Sequence, residues 1–281
     1  MKFTLILLLL ISFLIGCKED EPALMVKACF DFQKTEMNGD QYQFTNCSEN
    51  ASHFLWKFSD GKTSTEKEPK HLFETNFSLI ASLIVYNGNE SDTLTRNLRG
   101  DIMVYKPNIY IYPLKHTDLC VTLSFPMGGQ VVESIPDYST GWCVNVKPNG
   151  RINDQYNYLF YESTQPNIFQ YNKGWCVAQR NLQSFFESNM KEYNFSDSEI
   201  KDFTDHWLPL LTESEYFCIY PQTNQIVDQI ISLNFSVQPE KLYRLFYGIV
   251  ETDEYKEMES PAIQSFERNG YYVVEWGVFR N

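Results

Sequence analysis

The chain has 281 residues, 43% hydrophobic and 16% aromatic, with a formal net charge of −13 at pH 7. It is apolar enough for packed cores and longer than most single domains, so two domains are expected. The acidic balance repels phosphate backbones and anionic headgroups, which argues against nucleic acid or an anionic lipid surface as a direct partner.

Lys2 and the apolar run over residues 3–15 have the form of a secretory signal, too short for the roughly 20 residues that span a bilayer. Leu14-Ile15-Gly16-Cys17 resembles the bacterial lipobox, which implies cleavage of residues 1–16 and a diacylglycerol anchor on Cys17; an ordinary signal with a chance cysteine is the alternative. Lys18-Glu19-Asp20-Glu21 resembles the surface-export signal of Bacteroidetes lipoproteins, implying an outer-membrane protein facing outward. The alternative is a solvated acidic tether over residues 17–24. With Cys17 lipidated, six cysteines remain for an oxidising compartment. The favoured pairing joins apolar, strand-like runs: Cys29 with Cys47, Cys120 with Cys143, and Cys176 with Cys218. No cysteines form a CxxC pair, and His53, His71, His116 and His206 are scattered, so neither metal nor cofactor is expected.

Residues 25–104 show short alternating apolar runs separated by turn signals, the pattern of an all-β sandwich. In "HFLWKFSDGKTS", Phe54, Trp56 and Phe58 alternate onto one face and Asp60-Gly61 supplies a tight turn. Trp56 reads as core, and His71 as a hydrogen-bonding partner within the fold. The stretch "FTNCSENASHFLWKFSDGKTSTEKEPKHLF" resembles the PKD domain, departing from its pattern at Ser59, Glu68 and Phe73. The resemblance implies an immunoglobulin-like sandwich serving as a spacer or accessory binding module.

Residues 101–106 read as a junction, and residues 105–281 as an α+β domain with a mostly antiparallel sheet and two helices. "GWCVNVKPNGRI" reads as a hairpin, and "QYNYLFYES", "EYFCIYPQ", "QIISLNFSVQP", "KLYRLFYGIVE" and "GYYVVEWGVF" as strands. One helix is expected over residues 178–193, with Leu182, Phe185, Phe186 and Met190 on one stripe. The other starts from a Ser196/Glu199 capping box, buries Ile200, Phe203 and Trp207, and stops at Pro209. Blocks from "KPNIYIYP" to "GYYVVEWG" resemble a widespread bacterial domain marked by K-P-x-I-Y-L-Y-P and V-V-E-W-G-G, with Val278 in place of the last glycine. That resemblance carries over no activity and no catalytic residue.

On a strand, Glu275 shares a face with Tyr271, Val273 and Phe279, and Glu162 alternates with Tyr158 and Phe160. An acid among apolar neighbours needs a partner, and Arg151, Arg180, Arg244 and Arg268 are the candidates. Three readings stay open: structural ion pairs; contacts to a sugar stacked on Trp142, Trp175, Trp207 or Trp276; or the acid and base of a glycoside hydrolase. Asp202 and His206, four apart on one helical face, read as an exposed pair. No nucleophile elbow, phosphate loop or H-E-x-x-H is present. The expectation is a surface lipoprotein that binds or scaffolds an extracellular glycan or protein, with a surface hydrolase or a structural part of an envelope complex as alternatives.

Overall fold

The computed structural model describes residues 25–35, 40–73 and 79–280. The signal segment, Cys17 and residues 18–21 lie outside them. The chain is β-rich, a β-sandwich followed by an α+β unit.

In the sandwich, β1 (Phe30–Lys34), β2 (Gln41–Asn46) and β5 (Lys70–Leu72) form one antiparallel sheet. The other runs β4 (Thr63–Ser64), β3 (His53–Phe58), β6 (Ile80–Asn87) and β7 (Glu90–Asn97) in spatial order. The alternation seen in the sequence puts Trp56 and Phe58 inward against Phe30, Phe44, Leu83 and Val85. Trp56 is fully buried, and its indole N–H donates to the Glu66 carbonyl at 2.9 Å, satisfying the one polar atom that burial would strand. His71 stacks on Phe58 at 3.8 Å and meets Asp60 Oδ2 at 2.8 Å, so its role lies within the fold. Cys29 and Cys47 form a disulfide.

The second unit is built on a seven-stranded sheet. Its strands are β8 (Asp101–Tyr112), β10 (Gln130–Ile135), β12 (Leu159–Pro166), β13 (Trp175–Ala178), β14 (Tyr216–Thr223), β16 (Lys241–Thr252) and β17 (Tyr272–Arg280). Their spatial order is β10-β12-β8-β17-β16-β14-β13, antiparallel except for the β16–β17 pair. A parallel pair needs a crossover, and residues 253–271 supply it, packing Ile263 and Phe266 over the helical face. On that face lie α1 (Leu182–Glu192) and α2 (Asp197–Trp207), burying Phe186, Phe203 and Trp207 against Tyr110, Tyr247 and Trp276. The opposite face is covered by a small sheet of β9 (Thr117–Ser124), β11 (Trp142–Val146) and β15 (Ser232–Phe235), together with α3 (Asn224–Ile230).

Several expectations are corrected. Residues 101–106 are not a junction: they open β8, where Ile102 and Val104 are buried, and the turn between the units sits at Gly100, with φ +74°. A third helix, α3, occupies the start of a presumed strand; at seven residues it buries only Val227 and Ile230, too little to show a helical period. Cys120–Cys143 is a disulfide, but Cys176 and Cys218 are free thiols. These two face each other across β13 and β14 with their sulfurs 3.5 Å apart, well beyond the ~2.05 Å of a bond. Burial and the Cys176 neighbour push the Cys218 thiol up to about 11.

Candidate functional site

The site forms where β8 breaks its own ladder. Across Lys106 and Pro107 the register slips against both neighbours, between Phe160 and Ser163 on β12 and between Trp276 and Val278 on β17. One extra residue in β8 accounts for both slips, and Lys106 takes φ +49°. Pro107 has no N–H to give either ladder, so the irregularity falls where a donor is already missing. A left-handed conformation at a residue with a side chain costs roughly 1–2 kcal/mol, and bulges of this kind often re-aim a side chain beside a site.

Here the side chain borders a groove of about 540 Å³. Its walls include Lys106, Tyr156, Tyr158, Phe160, Glu162 and His206, with Glu133 and Ile135 on edge strand β10. A second depression of about 410 Å³ shares Glu162 and His206 and continues past Tyr105 to the Arg280–Glu251 ion pair. Lys106 Nζ sits 5.5 Å from the Phe160 ring centre. Among the described residues, no carboxylate lies within 4 Å of that ammonium, and neither Glu162 nor Glu133 has a cation so close.

The electrostatics follow from partial burial without pairing. Desolvation pulls the Lys106 ammonium down, partly offset by Asp202 and Glu162. Burial pushes Glu162 up, as does the charge of Glu133 directly opposite it on β10. Asp202 is raised by burial even though it accepts a hydrogen bond from the Tyr110 hydroxyl at 2.9 Å. His206 is lowered by burial and by Lys106. Asn108, fully buried two residues beyond Lys106 on the helical face, lies beside the Tyr110 and Tyr158 hydroxyls. Glu162, Asp202 and His206 thus each interact electrostatically with Lys106, and Lys106, Glu162 and His206 line the groove.

The helix that brings Asp202 and His206 here is fixed by Glu199. Its carboxylate closes the capping box on Ser196, takes two hydrogen bonds from Arg268 at 2.8 and 2.9 Å, and accepts the Tyr112 hydroxyl at 2.6 Å. Desolvation raises the carboxyl, but the Arg268 hydrogen bonds and charge outweigh it and hold it low.

Of the candidate residues, only Glu162 lines this groove directly. Glu275 is on the other face of the sheet: Tyr161, the neighbour of Glu162, turns away from the groove and donates its hydroxyl to Glu275 at 2.8 Å. Arg244 Nε lies 2.5 Å from the same carboxylate, and its Nη1 reaches Asp228 at 2.9 Å and the Ile231 carbonyl. Burial raises the Glu275 carboxyl, opposed by the charge and hydrogen bond of Arg244 and by the Tyr161 hydroxyl, while Glu275 in turn favours the charged form of Arg244. Glu162 and Glu275 therefore do not converge as an acid–base pair.

Nor do the four tryptophans converge on one surface. Trp142 and Trp276 are core residues, and Trp207 is 2% exposed beneath the second depression. Trp175 lines a separate cavity of about 600 Å³ with Phe185 and Tyr255. Asp202 and His206 are half-buried, not an exposed pair: Asp202 meets the Tyr110 hydroxyl, and both lie near Lys106. The groove aromatics Tyr156, Tyr158 and Phe160 were visible as the alternation in "QYNYLFYES"; the part of Lys106 carried no signal, since a bulge is defined by neighbouring strands. Among the described residues no cluster of three His, Cys, Asp or Glu side chains is arranged to hold a metal. No helix among them is long and apolar enough to cross a membrane. No protein-family model matches the chain, and no curated protein matches it.

Proposed function

We propose that the chain is an outer-membrane lipoprotein anchored through Cys17, facing the cell exterior, in which a PKD-like sandwich holds out an α+β domain that binds an extracellular glycan. The observation that supports the binding reading is the groove at the β8 bulge. Half-buried Tyr158 and Phe160 offer ring faces for a pyranose, while Glu162, Glu133, His206 and Lys106 offer unpaired donors and acceptors for its hydroxyls.

A glycan array followed by calorimetry on the full chain tests it. Binding to at least one polysaccharide is expected, weakened about tenfold by Phe160→Ala, as the loss of one aromatic stacking contact implies. No binding to any polysaccharide, or binding abolished by Trp175→Ala and untouched by Phe160→Ala, overturns the assignment. For the anchor, Cys17→Ala releases the protein from membranes, and unchanged membrane association refutes it.

A further inference from the structure

Lys106 is held differently from the lysines of the surface ion pairs. Lys34, Lys147, Lys173, Lys191, Lys201 and Lys241 each form an ion pair at the surface. Lys106 instead projects from the interior of a strand, half-buried over the Phe160 ring, at the wall of a groove wide enough for a sugar unit. Its backbone adopts a conformation that glycine would take without strain, yet the position carries a four-carbon stem and an amine. Strain of this kind, with no salt bridge to account for the charge, is expected where the side chain itself has a task.

We propose that Lys106 is a nucleophilic amine that forms an imine with the open-chain aldehyde of a reducing sugar in the groove, with Glu162 as the proton donor. The inference rests on the glycan-binding reading and names the reacting end of that ligand. The groups facing the amine are Glu162 from β12, Asp202 and His206 from α2, and, beyond Glu162, Glu133 from β10. The neutral fraction of the amine is enlarged by desolvation, and the proton-bearing fraction of Glu162 by burial and Glu133. The backbone N–H and the charge of Lys106 draw the Glu162 carboxyl partway back without reversing its rise.

The chemistry balances without an oxidant or reductant. The Nζ lone pair adds to the carbonyl carbon, the C=O π pair moves onto oxygen, and that oxygen takes up the proton the nitrogen sheds. The C–O bond of the carbinolamine then breaks as Glu162 protonates the departing hydroxyl. Water leaves, and the nitrogen lone pair closes the C=N bond. Amine, aldehyde and one proton become an iminium ion and water, and the reverse steps restore the amine.

The test incubates the full chain with glycolaldehyde, and separately with cellobiose, in the presence of cyanoborohydride at pH 7, and maps the reduced adducts by peptide mass spectrometry. Lys106 is expected to be modified at least about tenfold faster than the exposed Lys70, and Glu162→Gln to slow labelling at position 106 without slowing it at Lys70. Lys106→Gly is the folding control: it removes the amine and relieves the positive φ, so its thermal midpoint should equal or exceed that of the parent. Equal labelling of Lys106 and Lys70 overturns the inference, as does unchanged labelling at position 106 in Glu162→Gln. If glycan binding by calorimetry persists while Lys106 shows no excess labelling, the imine fails and the binding reading stands; loss of both removes both.

Discussion

Replacing Glu275 by leucine tests whether the deepest acid of the second unit is structural. Arg244 and Glu275 are both fully buried, and removing the carboxylate leaves the guanidinium with only a half-exposed Asp228 and the Ile231 carbonyl; its Nη2 already has no partner. Breaking a buried pair from one side typically costs about 3–5 kcal/mol. The Tyr161 hydroxyl also loses its acceptor, which adds about 1 kcal/mol or more. Against a domain stability of about 5–15 kcal/mol, the single variant should be severely destabilised. Glu275→Leu combined with Arg244→Met removes both charges and keeps apolar volume, so it should recover most of the loss and fall within about 2 kcal/mol of the parent. Urea unfolding of the parent, both singles and the double variant gives the coupling energy from the cycle. A Glu275→Leu cost below about 1 kcal/mol, or additive singles, refutes the buried ion pair. The folded double variant should retain glycan binding, because the pair lies across the sheet from the groove.

The Glu199 clamp should show in the acid limb of the stability profile. Its carboxyl is held low in the folded protein, so its stabilising contribution is fully present above the unfolded value near 4.3 and is lost as pH falls through the folded value. The gap in thermal midpoint between the parent and Glu199→Gln should be widest near neutrality and shrink as pH drops below about 4, and a gap independent of pH refutes the clamp. Opening the Cys120–Cys143 loop, 23 residues apart in sequence, with paired serines should cost about 3 kcal/mol in urea unfolding, and no loss would mean the bond does not form.

The parts of the molecule legible in the sequence are those fixed by near neighbours. The Ser196/Glu199 capping box, the inward alternation of Trp56 and Phe58, and the face shared by Val273 and Glu275 all follow from periods of two or about four residues. Arg244 was one of four candidate cations, but choosing it required knowing that β16 and β17 run parallel with Arg244 beside Glu275. The tryptophans were misleading for a related reason. Trp207 and Trp276 lie where α2 meets the sheet, and an indole suits a core as well as a sugar platform until the covering layer is known.

The groove was illegible because it depends on a register fault that no single strand encodes. Along β12, Tyr161 and Glu162 are adjacent and point to opposite faces: one joins the buried Arg244–Glu275 cluster and the other enters the groove. The regular pleat thus divides two similar acids, Glu162 and Glu275, between structure and surface. Across the ladder, the extra residue in β8 interrupts that pleat at Lys106 and re-aims an amine toward the one acid of the two that has no cation within ion-pair distance. If neither the bulge nor the amine it carries served the groove, Lys106→Gly would leave ligand binding as it was. If it exists to present the amine, the same change should raise or preserve stability and weaken the groove's hold on its ligand, an opposition that simple loss of packing does not produce.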